Sequence, residues 1–247
     1  MSVPHPVETV LAFGSTGLLL YLAQRSLHRN LQGALLRLAG HPDRALVLYW
    51  ALLFPGILLH ELSHWGMALL LGIRRYRFAL WPRRIGGQIR LGAVLLEEVD
   101  PFRMSLVGAA PMVAGLALIA LLDGGPPGPE ASGLGLPLQA GSALLALTRE
   151  AGGWVRIYLL FAVGNTMWPS PSDRAAWPVV GGIGLILAGL TFAGLPEALP
   201  AAGSLLTQGT AQLTPLLALV LALDLPLLVG LVALRAAFER PGRRPSP

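Results

Sequence analysis

The chain has 247 residues, of which 54% are hydrophobic and only 13% charged. A mean hydropathy of +0.63 is far from the balance of a soluble domain and marks an integral membrane protein, with room for about six spans of roughly 20 residues but not for a large soluble domain besides. The absence of cysteine excludes disulfides and thiolate metal sites, and the net charge of +5 rests on arginine alone, clustered beside apolar runs in the manner of a membrane protein rather than a nucleic-acid binder.

In chain order, residues 7–24 are a candidate span. Residues 25–40 repeat Leu27, Leu31, Leu35 and Leu38 at helical spacing among arginines, the pattern of an interfacial amphipathic helix. Met1 to Glu8 carries no basic n-region, which argues against a cleavable signal peptide. His41-Pro42-Asp43 is a helix start, and the apolar run from Ala45 to Ile73 follows it. At about 1.5 Å per residue this helix outruns a hydrocarbon core of about 30 Å. Pro55, which has no N–H and frees the carbonyl of Ala51, is its expected bend. Residues 74–100 hold too many arginines to span. Alternation in Tyr76-Arg77-Phe78-Ala79-Leu80 and in Gln88-Ile89-Arg90-Leu91, around Pro82 and Gly86-Gly87, predicts a β-hairpin over 76–91, cytoplasmic or re-entrant.

Asp100-Pro101 then opens a span over 102–122, and 123–137 reads as loop. Residues 138–148 are too short to span, and a further spanning helix is expected over 150–168. Two more spans, about Ala176 to Leu195 and Pro215 to Ala236, precede a basic disordered tail. The expected fold is an all-α polytopic membrane protein of about six transmembrane helices with one short hairpin. Its parts are an N-terminal span and interfacial helix (1–44), a core (45–174), two C-terminal spans (175–238) and the tail (239–247). Arg74, Arg75, Arg77, Arg83, Arg84 and Arg90 follow the second helix, whereas loops 123–148 before Arg149 and 196–213 carry no arginine. The positive-inside rule therefore puts the end of that helix in the cytoplasm. Arg25, Arg29, Arg37 and Arg44 fall on the other side and mark the first 44 residues as an exception.

The chemistry is concentrated in His60-Glu61-Leu62-Ser63-His64. Positions i and i+4 of a helix lie about 40° apart around the axis and about 6 Å along it, so both imidazoles can reach one metal ion, with Glu61 beside them as a base. Burying these three groups in hydrocarbon costs several kcal/mol in the absence of a purpose. Catalytic zinc takes three protein ligands and keeps a position for water. The residue six beyond His64 is Leu70, so the third ligand is not the metzincin histidine. The acids available are Asp173, at the end of a helix emerging on the same face, then Glu97 and Glu98, and Asp224 in mid-span. Asp173 has the most suitable depth. Arg156 and Asp224, each inside an expected span, are a candidate ion pair, and the six tryptophans flank apolar runs as interfacial anchors.

HELSH on an apolar helix, followed about a hundred residues later by Asn165-Thr-Met-Trp-Pro169-Ser-Pro171-Ser-Asp173, resembles the site-2 protease family of intramembrane zinc metalloproteases. The similarity covers roughly Ala45 to Arg174, with Gly108-Ala-Ala-Pro111 in place of the family's Gly-Pro helix. It departs where Arg174 follows the aspartate, as in a divergent member. The resemblance implies zinc held by His60, His64 and Asp173, water activated by Glu61, and substrate or oxyanion oriented by Asn165. It implies a membrane-embedded protein substrate within the lipid bilayer, no nucleic-acid partner, and a multi-pass protein whose active site is towards the cytoplasmic face. The rival reading is a non-catalytic polytopic membrane protein, scaffold or transport-related, with a structural metal site.

Overall fold

No proline falls between Val7 and Ala39, and the chain there forms one helix, α1 (Pro6–Ala39), rather than a span followed by a separate interfacial helix. In the computed structural model, residues 6–85, 88–123, 135–195 and 198–238 are described. Among these the remaining elements are α2 (Pro42–Leu70), β1 (Arg75–Ala79), β2 (Arg83–Ile85), β3 (Gln88–Arg90), β4 (Ala93–Leu96), α3 (Pro101–Asp123), α4 (Gly135–Leu147), α5 (Gly153–Gly164), α6 (Trp177–Gly194) and α7 (Ala198–Phe238). The turn from α1 to α2 is tight. Gly40 takes φ 65, and the His41 side chain caps α2 by accepting from the N–H of Asp43, with Pro42 where no helical donor is needed.

Five helices among the described residues, α1, α2, α3, α6 and α7, are long and apolar enough to cross a bilayer. The span expected over 150–168 is instead the 12-residue α5, about 18 Å long and too short to cross. The segment expected as loop over 196–213 is helical from Ala198 onward, because α7 runs for 41 residues through Pro215. Thr207, Thr210 and Thr214 look loop-like in sequence, but their hydroxyls donate to the carbonyls four residues earlier, so the helix absorbs its own polar side chains.

The hairpin is longer than expected and has another register. Strand β1 pairs with β4, Phe78 opposite Val94, and β2 pairs with β3, Arg84 opposite Ile89. Residues 75–79 therefore meet 93–96, rather than 76–80 meeting 88–91. The apolar Ala93-Val94-Leu95-Leu96 lacks the alternation that identifies a strand. The expected turn at Gly86-Gly87 and the tail over 239–247 lie outside the described residues.

The core lies where α1, α3, α4, α5 and α7 meet, around Leu20, Ile119, Leu160, Val163 and Val220. Helix α1 packs chiefly along α7, and α2 packs on α3, α1 and α5. Short α5 is thus enclosed by spanning helices, and glycines let it in. A methyl on Gly56 of α2 would strike the carbonyl of Ala162, and one on Gly164 would lie 2.6 Å from Val220 of α7. Helix α6 buries no residue.

Candidate metal centre

His60 and His64 stand one turn apart on α2 with ring centroids 4.8 Å apart. What aims them is a pair of carbonyls released by the backbone of two other helices. Pro111 of α3 has no N–H, which leaves the carbonyl of Val107 without its helical donor, and His64 Nδ1 lies 2.9 Å from that oxygen. Thr166 follows the end of α5, and the N–H of Ser170, its would-be helical partner, goes to Asp173 Oδ2 at 2.6 Å instead. His60 Nδ1 takes the free Thr166 oxygen at 2.7 Å.

A carbonyl only accepts, so each ring carries a proton on Nδ1, and in the neutral ring the lone pair is on Nε2. The two Nε2 atoms face each other at 3.2 Å. Asp173 completes the group, with Oδ1 3.4 Å from His64 Nε2 and Oδ2 3.7 Å from His60 Nε2. The edges of a tetrahedral site with zinc bonds of 2.0–2.1 Å are about 3.3 Å. Three lone-pair atoms at these spacings repel one another unless a cation lies between them, and the donor set suits a divalent metal. Among the described residues, His60, His64 and Asp173 are the group able to hold such an ion. Glu97, Glu98 and Asp224 do not join it.

Asp173 reaches this position through local structure. Ser170-Pro171-Ser172-Asp173 folds as a reciprocal capping box, in which the Ser170 N–H donates to the Asp173 carboxylate while the Asp173 N–H donates to Ser170 Oγ at 3.3 Å. The segment then sits directly on α3. A methyl on Gly108 would collide with the carbonyl oxygen of Asp173, and one on Gly115 would lie 2.5 Å from Met167 Cβ. Burial works to raise the Asp173 carboxyl, and the N–H of Ser170 works to lower it.

Glu61 is buried on the same helix, next to His60 in the chain and one turn from His64. Gly92, between β3 and β4, covers it, since a methyl there would lie 2.6 Å from Glu61 Oε1. The ribbon thus closes over the carboxylate, a contact with no trace in the HExxH pattern.

Two expected roles are met differently. Asn165 is buried, and both amide hydrogens are committed, to Phe161 O at 3.0 Å and Asp224 Oδ1 at 2.8 Å. It has no donor left for an oxyanion and ties α5 to α7. Arg156 does not pair with Asp224. It binds Glu150 and the carbonyl of Leu122, because it sits in the first turn of α5 while Asp224 faces Asn165. Among the tryptophans, Trp50 donates to Leu80 O at 2.7 Å and packs on Trp81, so these two pin α2 to the ribbon.

No protein-family model matches this chain, and no curated protein or solved structure matches it either.

Proposed function

We propose that this chain is an intramembrane zinc metalloprotease, resembling a divergent site-2 protease, which hydrolyses peptide bonds of membrane-bound proteins. The observation that carries the reading is the convergence of His60 Nε2, His64 Nε2 and the Asp173 carboxylate inside an apolar helix bundle, with Glu61 beside them. A structural zinc normally fills four positions with protein ligands, whereas three protein ligands and a neighbouring acid are the pattern of a hydrolase.

His60, His64 and Asp173 would hold the ion. When bound, zinc supplies Lewis acidity, lowering the pKa of water towards 7 and favouring negative charge on a carbonyl oxygen. Glu61 takes the proton of the attacking water and delivers it to the leaving nitrogen. The carbonyls of Val107 and Thr166 keep both imidazoles in the tautomer that presents Nε2. A peptide bond within a transmembrane helix is protected by its own hydrogen bonds, so the substrate must unwind locally before Glu61 can act. The arginines after α2 orient this end of the bundle towards the cytoplasm.

The test is cleavage of a membrane-spanning reporter by the purified chain reconstituted in liposomes, with zinc measured by mass spectrometry. Glu61→Gln is expected to retain zinc and to lose about 10²–10⁴-fold in cleavage rate. Zinc retained with the cleavage rate unchanged would sink the enzyme and favour the structural metal site.

A further inference from the structure

The end of α5 leaves a row of three consecutive carbonyls beyond its own hydrogen bonding. The helical pattern closes with the N–H of Met167 on Val163 O. Past that point Pro169 has no N–H to offer Asn165, and the N–H of Ser170 is used by Asp173. Within hydrocarbon these oxygens need donors from other elements. Gln24 Nε2 donates to Gly164 O at 3.0 Å and His60 Nδ1 donates to Thr166 O at 2.7 Å, with the His28 ring beside the backbone of Asn165 between them.

Gln24 and His28 lie one turn apart on α1, as His60 and His64 do on α2. The first two are themselves held. Gln24 also donates to Asp224 Oδ2 at 3.1 Å, Asp224 Oδ1 accepts from Asn165, and His28 Nδ1 is 2.7 Å from the Tyr49 hydroxyl. Asp224 is 0% exposed. It stands one turn beyond Val220, the residue that Gly164 admits, so the same close approach that docks α7 on α5 delivers the carboxylate to the row.

We infer that Gln24, His28 and Asp224 form a positioning device for the metal centre. It fixes the carbonyls of residues 164–166 so that Thr166 O meets His60 Nδ1 and turns Nε2 towards the ion. The inference rests on the proposed metal reading, in which His60 is a ligand, and it makes α1 part of the site. Losing the Gln24 donor leaves Gly164 O and Asp224 Oδ2 underbonded in an apolar core. The row then relaxes towards other donors and takes Thr166 O with it.

The experiment uses the full chain in phospholipid nanodiscs, with Co²⁺ as the probe, reading its affinity and its visible absorption. Gln24→Met and Asp224→Asn are expected to weaken Co²⁺ binding about 10–100-fold and to alter the spectrum. Leu27→Ala, an equally buried change on the same helix, should lower thermal stability and leave the spectrum alone. Folded Gln24→Met and Asp224→Asn chains with wild-type affinity and spectrum would overturn the inference, with the metal reading intact. A wild-type chain that takes up no Co²⁺ overturns the metal reading as well. Should the variants fail to fold, ¹⁵N-histidine NMR of the wild type decides. A His60 proton on Nδ1 supports the carbonyl row, and one on Nε2 refutes it.

Discussion

Two carboxylates in this bundle, Asp224 buried and Asp173 half-buried, are built on opposite principles although the chain links them through adjacent residues 165 and 166. Each oxygen of Asp224 meets an N–H, from Gln24 and from Asn165, so its surroundings are already donors. Asp173 receives the N–H of Ser170, but its other neighbours are imidazole nitrogens whose protons point away, at Thr166 and Val107. One cluster is matched donor to acceptor; the other gathers lone pairs and needs a cation. An acid inside a membrane therefore does not by itself mark a reaction centre. The inventory of donors around it does.

The strongest way to break this contrast is to remove the unmatched acid. Asp173→Ala leaves two ligands, and zinc measured by mass spectrometry should fall from about one ion per chain to background. Wild-type zinc content in that variant would place the ion elsewhere. Next in size is Gly108→Ala, which drives a methyl into the Asp173 carbonyl. It should cost about 1–3 kcal/mol of stability by chemical denaturation and weaken zinc binding as well, since the segment it displaces carries the ligand. Gly92→Ala probes the cover over Glu61. Its methyl meets a side chain able to shift, so zinc and stability should hold while reporter cleavage slows about tenfold, on the order of one misplaced proton-transfer group. The smallest effect belongs to Gly182→Ala on α6, where nothing lies within 4 Å; unfolding should change by no more than about 0.5 kcal/mol, with zinc unaffected. A large loss there would mean that α6 is packed against something after all.

Much of the site was legible because its signals are local. The spacing of His60 and His64 puts both on one helical face whatever surrounds the helix, and Asp173 stood out as an acid at the end of an apolar run. The capping box at Ser170 to Asp173 was equally local, and reading it would have given the turn that presents the carboxylate. Pro111 likewise implied a free carbonyl at Val107. Other features had no local signature. The helical character of 198–214 was hidden by threonines that read as loop. The register of the ribbon depended on Ala93 to Leu96, whose continuous apolar run fits helix and strand alike. Asn165 illustrates the limit most clearly, because its partner Asp224 lies 59 residues away.

By itself the amino-acid sequence determined that this chain belongs in a bilayer and that two imidazoles and a carboxylate share a helix, since hydropathy and helical periodicity act over a few turns. Only the tertiary structure decided which acid completes the group, which way the imidazole protons point, and that α1 reaches the same carbonyl row. Those outcomes depend on glycines that admit one backbone against another and on carbonyls left over where helices end, and both are settled between segments far apart in the chain.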